Sequence, residues 1–339
     1  MSTLIESSTQ VETRELTVAA ALNEALREEM SRDDRVFLLG EDVGAAGGVY
    51  KVTDGLYEEF GAGRVIDSPI SEAGIVGLAV GAAMTGRRPV VEVMFGDFLF
   101  LAMDQIVNQA AKIRYMSGGA WHAPMVIRTT LGAGRRAAAQ HSQSVHAMVA
   151  HIPGLKVVLP SDAADAKGML KAAIRDDDPV VFFEDKLSYR EIGPVPRGEY
   201  LVPLGQALVR RHGRDVTLVA TSSMVGVAMS AAETLAGASV EAEVVDVRCL
   251  SPLDLDTVLD SVRRTGRCVV VDEGHRRFGA TAELAASVAE NAYRELVAPV
   301  RRLAAMDVPV PFSPVLEDLT IPRADQVVTA VNGLMAWER

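Results

Sequence analysis

Four groups of residues in this chain have types and spacings suited to chemistry. Glu72 ends the run D-S-P-I-S-E (67–72), in which Pro69 pushes Ser68 toward an extended conformation and Ser71 is placed to cap the helix that follows. A carboxylate there lies at the positive end of the helix dipole and can serve as hydrogen-bond acceptor, acid or base. Glu41, in G-E-D-V-G-A-A-G-G (40–48), sits in a glycine-rich stretch that suits a ligand loop and a solvated turn equally. His141, in A-A-Q-H-S-Q-S (138–144), joins another glycine-rich stretch to a helix. An imidazole at such a junction either shuttles protons near neutral pH or is a satisfied structural histidine. Asp176 and Asp178 belong to A-A-I-R-D-D-D-P-V-V (172–181), whose carboxylates and carbonyls suit either a solvated turn or a hard cation.

Other patterns narrow the chemistry. Gly132, Gly134 and Ala137 fit the G-x-G-x-x-A dinucleotide fingerprint, so an NAD-binding oxidoreductase is one rival reading. His141, His146 and His151 are spaced by five, which turns each about 140° from the last on a helix and prevents convergence on one metal. The P-loop, zincin and serine-hydrolase motifs do not occur. Nor does a G-D-G followed some distance later by Asn, the pattern that holds magnesium and diphosphate in thiamine enzymes; Gly96-Asp97-Phe98 lacks the last glycine.

The elements that must position these residues are short β-branched runs alternating with Ala/Leu-rich amphipathic segments. Strands are predicted at 35–40, 89–94, 124–130, 155–160 and 179–185, with helices near 17–30, 71–86, 97–116, 142–150 and 162–175. Continuous apolar strands separated by helices imply an α/β fold with a parallel sheet covered on both faces. The Pro/Gly-rich stretch 191–203 reads as a linker, after which strands at 215–221, 240–248, 267–274 and 300–305 alternate with helices near 224–236, 254–264 and 278–294. Ligands of such sheets bind beyond the carboxyl ends of the strands, which directs attention to residues 40–50, 68–72, 94–98, 131–142 and 272–279. The helix after Glu72 carries Gly74, Gly77 and Gly81, and their combined cost suggests close approach to another surface.

The 339 residues hold 34 Lys+Arg against 45 Asp+Glu, a formal charge of −11, which disfavours nucleic acid and suits a basic partner protein. Two cysteines without a C-x-x-C, no long apolar run and a polar, acidic start give the expectation of a cytoplasmic protein that crosses no membrane.

Taken together, GED (40–42), GVYKVTDGL (48–56), DSPISE (67–72), AVGAAMTGRRPVVEVMFGDF (79–98), DQIVNQAAKIRYMSGG (104–119), AAQHSQS (138–144), AAIRDDDPVVFFE (172–184), VDEG (271–274) and PVPFSPVLEDLTIP (309–322) resemble one family. It is the β subunit of the thiamine-diphosphate-dependent decarboxylase component of 2-oxo acid dehydrogenase complexes, of the pyruvate, acetoin or branched-chain type. The resemblance implies a transketolase-like fold: a pyrimidine-binding domain over 14–190, the linker 191–203 and a smaller C-terminal domain over 204–339. It implies an α2β2 heterotetramer in which the α subunit holds Mg²⁺ and the diphosphate, while this chain binds the aminopyrimidine. Glu72 would be the catalytic acid at the pyrimidine, with Glu41, Ile70, Ser71, Met94 and Phe98 around the cofactor. His141 would serve acyl transfer to the lipoyl arm of an acyltransferase. Met125, Ala173, Ile174, Asp176 and Asp178 align with a potassium site of some relatives. A non-catalytic assembly subunit is the second rival.

Overall fold

The computed structural model describes residues 12–338. Its first half contains strands β1 (Thr13–Thr17), β2 (Val36–Gly40), β3 (Val65–Asp67), β4 (Arg88–Val93), β5 (Val126–Leu131), β6 (Lys156–Val158), β7 (Val180–Asp185) and β8 (Ile192–Pro196). The second half contains β9 (Leu208–Arg211), β10 (Val216–Ala220), β11 (Ala242–Asp246), β12 (Cys249–Ser251), β13 (Cys268–His275) and β14 (Arg301–Ala305). The larger sheet has the order β12-β6-β7-β5-β4-β2-β3. All its pairings are parallel except that of β12 with β6. The smaller sheet has the order β14-β13-β10-β11-β9, with only β9 antiparallel to its neighbour.

Strands β2, β5 and β7 are buried at every residue because helices cover both faces. Side chains alternate between two cores, as the period of two requires. Leu38, Val90, Val126 and Phe182 pack with Leu22, Leu26, Met169 and Leu170 of the helices Val18–Arg32 and Ala163–Arg175. Leu39, Val91, Ile127 and Phe183 face the opposite way, toward Ile75, Val76 and Ala79 of the helix Glu72–Met84. The smaller sheet is covered likewise, by the helices Met224–Ala236 and Ala324–Met335 on one side and Leu255–Thr265 and Ala280–Asn291 on the other. No helix among the described residues is long and apolar enough to cross a membrane.

Three expectations are corrected. The helix predicted over 97–116 is broken into a 3₁₀ segment Gly96–Ala102, a π segment Gln105–Ala110 and one α turn Ile113–Met116. Gly96 starts the break: a Cβ there would lie 2.7 Å from the Thr130 carbonyl oxygen, so the chain is pinned to β5 where a regular helix would need to rise. The helix predicted over 142–150 is reduced to His146–Ala150, and the preceding Gln143 is tied instead to Asp97, whose Oδ1 accepts its backbone N–H at 3.2 Å. The stretch 191–203 is not all connector: β8 pairs antiparallel with β1, from Thr13 opposite Pro196 to Thr17 opposite Ile192.

Candidate active site

The strand order β3-β2-β4-β5-β7 sets five carboxyl-end turns side by side. Glu41 follows β2, Glu72 follows β3, Met94 follows β4, the loop to His141 follows β5 and Lys186 follows β7. The first two turns are joined directly, since Ser68 N–H donates to Gly40 O at 2.9 Å. Glu72 opens its helix and is only 9% exposed, yet no hydrogen bond or ion pair reaches its carboxylate from the described residues. Burial, then the charges of Asp42 and Glu72, push the Glu41 carboxyl above its ordinary 4.5. A carboxylate near a like charge gains from any donor that reaches it. The Glu72 carboxylate is free of such partners among the described residues.

Ser71 occupies the N-cap position but its hydroxyl does not cap; the residue lies at φ −168°, ψ 81°. The expected cap is absent, and the Oγ turns toward Gly74, where a Cβ would meet it at 2.9 Å. Ile70 is 74% exposed, and this chain alone does not enclose it. Met94 is half-buried and its carbonyl accepts from Thr130 Oγ1 at 3.1 Å.

Phe98 and His141 are brought into contact at 5.3 Å between ring centres. Phe95 completes the cluster, 4.8 Å from His141 and 5.5 Å from Phe98, all three pairs edge-to-face. The imidazole is thus held by aromatic walls, while its backbone carbonyl accepts from Lys186 Nζ. Lys186 is buried over the Phe95 ring at 5.3 Å and also donates to Gly132 O at 2.8 Å. Burial lowers its ammonium pKa, against the opposing pull of Asp97, Glu273 and Asp185.

The dinucleotide reading of residues 132–137 fails on its donors. Ala133 N–H is taken by Glu273 Oε1 (2.5 Å), Gly134 N–H by Glu317 Oε1 (2.6 Å) and Arg136 N–H by Glu317 Oε2 (3.2 Å). A pyrophosphate would have to displace two carboxylates of the same chain. His146 is equally committed: its Nε2 lies 3.0 Å from both carboxylate oxygens of Asp272, and both side chains are buried. Among the described residues no three His, Cys, Asp or Glu side chains gather to hold a metal.

The residues aligned with a potassium site lie at the amino end of the sheet, away from Glu72. They do come together: Ala173, Ile174, Asp176 and Asp178 lead from one helix into β7, and Met125 O accepts Val180 N–H at 3.0 Å. Their oxygens, however, already face the protein's own cations. Arg88 Nη1 donates to Ile174 O (3.1 Å) and Asp176 O (2.8 Å), Lys156 Nζ binds Asp176 Oδ2 (2.6 Å), and Arg114 Nη1 binds Asp178 Oδ1 (2.7 Å). This set does not fit potassium, because three cationic side chains already neutralise it. A cavity of about 700 Å³ at this end, lined by Arg114, Tyr115, Lys156 and Asp178, is likewise remote from the carboxyl-end turns.

Residues 14–191 match the transketolase pyrimidine-binding domain, and residues 205–327 match the transketolase C-terminal domain. The chain is 49% identical to the β subunit of an acetoin:2,6-dichlorophenolindophenol oxidoreductase of Bacillus subtilis, covering 95% of this chain and 98% of that one. It is 46% identical to the 2-oxoisovalerate dehydrogenase β subunit of the same organism, covering 93% and 97%. It is 47% identical to the pyruvate dehydrogenase E1 β subunit of Rhizobium meliloti, covering 94% and 70%. It belongs to the E1 β subunits of the 2-oxo acid dehydrogenases. A solved split-gene transketolase, described as an inactive β4 tetramer, superimposes with a TM-score of 0.77 at 25% identity, covering 96% of this chain and 99% of that one. The fold is accordingly transketolase-like, and E1 β subunits are part of a thiamine-diphosphate-dependent oxidoreductase that works with an α subunit.

Sequence reading pointed to Glu41, Glu72, Phe98 and His141 but missed Lys186, Asp97, Glu273 and Glu317 as partners of residues 132–143. The only local signal was their position just after a strand or in a family-like run; their partners lie far along the chain.

Proposed function

We propose that this chain forms the proton-managing wall of a thiamine diphosphate site shared with an α subunit in an α2β2 tetramer. The observation that carries the reading is the Glu72 carboxylate, which belongs to a residue only 9% exposed, has no donor among the described residues and lies near Glu41. A pyrimidine ring nitrogen supplies the missing partner and shares one proton with the carboxylate. When bound, the cofactor supplies the nucleophile and the electron sink for breaking the bond next to a carbonyl. Glu72 moves one proton between its carboxyl oxygen and the ring nitrogen; Ile70, Met94 and Phe98 keep water from the reacting centre. The diphosphate and Mg²⁺ are assigned to the α subunit, since this chain has no G-D-G run with a following Asn.

The substrate is a short 2-oxo acid, or acetoin, and the acceptor a lipoyl group on an acyltransferase. For a 2-oxo acid, carbon dioxide leaves and the electron pair of the broken C–C bond reduces the lipoyl disulfide. One C–S bond forms, the S–S bond breaks and the departing sulfur takes one proton, which His141 delivers from its ring. The exposed helix face with Leu78 and Gly81, bordered by Gly77 against Gln105, is the α-subunit contact: outside the helix's own backbone, no described residue comes within 4 Å of a Cβ placed on Gly81. The acidic surface docks a basic segment of the acyltransferase, and the assembly works in the cytoplasm, with Cys249 and Cys268 as free thiols.

The test is Glu72→Gln in the reconstituted tetramer, assayed for 2-oxo acid decarboxylation with an artificial electron acceptor. Loss of turnover with assembly intact is expected. Full activity in the assembled variant would mean that this chain only scaffolds. In separate measurements, Gly77→Leu should block tetramer formation in size-exclusion chromatography, and acyltransferase docking should weaken steeply with added salt.

A further inference from the structure

The backbone after β5 alternates in hand. The φ angle is positive at Gly132 (+96°), Gly134 (+91°), Arg136 (+58°) and Ala138 (+60°). Alternation of this kind turns successive N–H groups toward one side and forms a concavity for an anion. Two carboxylates from the second half of the chain fill it. Glu317, fully buried on the helix Pro314–Thr320, accepts from Gly134 N–H and Arg136 N–H, and its Oε2 also pairs with Arg136 Nη1 at 2.7 Å. Glu273, near the end of β13, accepts from Ala133 N–H, and glycine at 132 leaves room for it, because a Cβ there would meet Glu273 Oε1 at 2.7 Å. Burial and the adjacent Asp185 push the Glu273 carboxyl well above its ordinary range. Lys186 then ties the first residue of the loop to its last, through Gly132 O and His141 O.

The loop belongs to no helix or strand, so its path is set by these outside groups. We propose that Glu317 is a positioning residue for acyl transfer: its carboxylate occupies the backbone nest at 133–136 and thereby fixes where His141 stands against Phe95 and Phe98. The inference rests on the role given above to His141. It makes the C-terminal half of the chain a participant in the reaction without contact to the reacting atoms.

Glu317→Ala in the reconstituted tetramer should lower transfer to a lipoylated domain, relative to decarboxylation with an artificial acceptor, by about tenfold, the weight of one charge-assisted hydrogen bond. Formate, small enough to enter the emptied nest, should restore part of that ratio. Amide exchange across 132–141 should quicken in the variant and slow again with formate. A ratio equal to that of the unmodified enzyme, or a deficit that formate leaves untouched, overturns the proposal. Glu317→Gln, which keeps the side chain's size, replaces the alanine variant if that one fails to assemble, with the same ratio and exchange rates as the deciding readouts. His141→Ala is measured in parallel: if it still transfers at the full rate, the histidine's role falls, whereas the exchange data still decide whether Glu317 sets the loop.

Discussion

The D-D-D turn at the amino end of the larger sheet and Glu72 at its carboxyl end treat their carboxylates in opposite ways. At the amino end, Asp176, Asp177 and Asp178 each meet an arginine or lysine, and Arg88 also satisfies two backbone carbonyls. At the carboxyl end, Glu72 is 9% exposed, has no hydrogen bond or ion pair among the described residues, and raises the proton affinity of Glu41 nearby. Paired charge of the first kind holds a turn in place and is complete within one chain. Unpaired charge of the second kind leaves room for something to arrive. The contrast separates structure from function better than the acidity of either run, since D-D-D looks the more like a ligand site.

The largest expected effect breaks the comparison if it fails. Glu72→Gln should cut turnover by about 10²–10⁴-fold, the usual range for a lost acid or base, while the variant's thermal midpoint stays level or rises as a like-charge contact is relieved. Arg88→Met should do the reverse at the other end. It leaves two carbonyls and Asp177 without their donor, at a cost of about 1–3 kcal/mol in denaturant unfolding, with turnover of the assembled enzyme much less affected. Asp178→Asn weakens a part-exposed pair with Arg114 and should cost only about 0.2–1 kcal/mol. Potassium should stabilise the protein no more than sodium in a thermal titration; a potassium-specific gain would restore the cation site that Arg88 and Lys156 contradict.

The smallest effect sharpens the same point through pH. Glu41 is raised above 4.5, so the fold holds its proton more tightly than the unfolded chain does. Its contribution to stability therefore falls as pH rises from about 4.5 through the folded-state value. Glu72→Gln removes one of the charges responsible, so the Glu41 side-chain carbon resonance should titrate at lower pH in that variant. An unmoved titration would mean the two carboxylates do not sense one another.

Much of this was legible because parallel strands buried on both faces read as continuous apolar runs, as RVFLLG and PVVFFED do. Glu72 could be read from its place in the first turn of a helix, and His141 from the glycine-rich stretch before it. The partners of the His141 loop could not be read. Ala133 and Glu273 are 140 positions apart and Gly134 and Glu317 are 183 apart, so no local pattern links them. The D-D-D turn misled for the same reason: the guanidinium that fills it comes from Arg88, 86 positions before Ile174.

Strand β12 binds the fate of the two halves together. Its three residues run antiparallel to β6, Cys249 opposite Val158, so the second half of the chain seals a border of the first half's sheet. A fragment stopped near residue 200 would expose that border as a raw row of amide and carbonyl groups, ready to capture another copy of itself. Neither half is a module that can be traded away on its own, and any rearrangement that separates them must first unzip this seam.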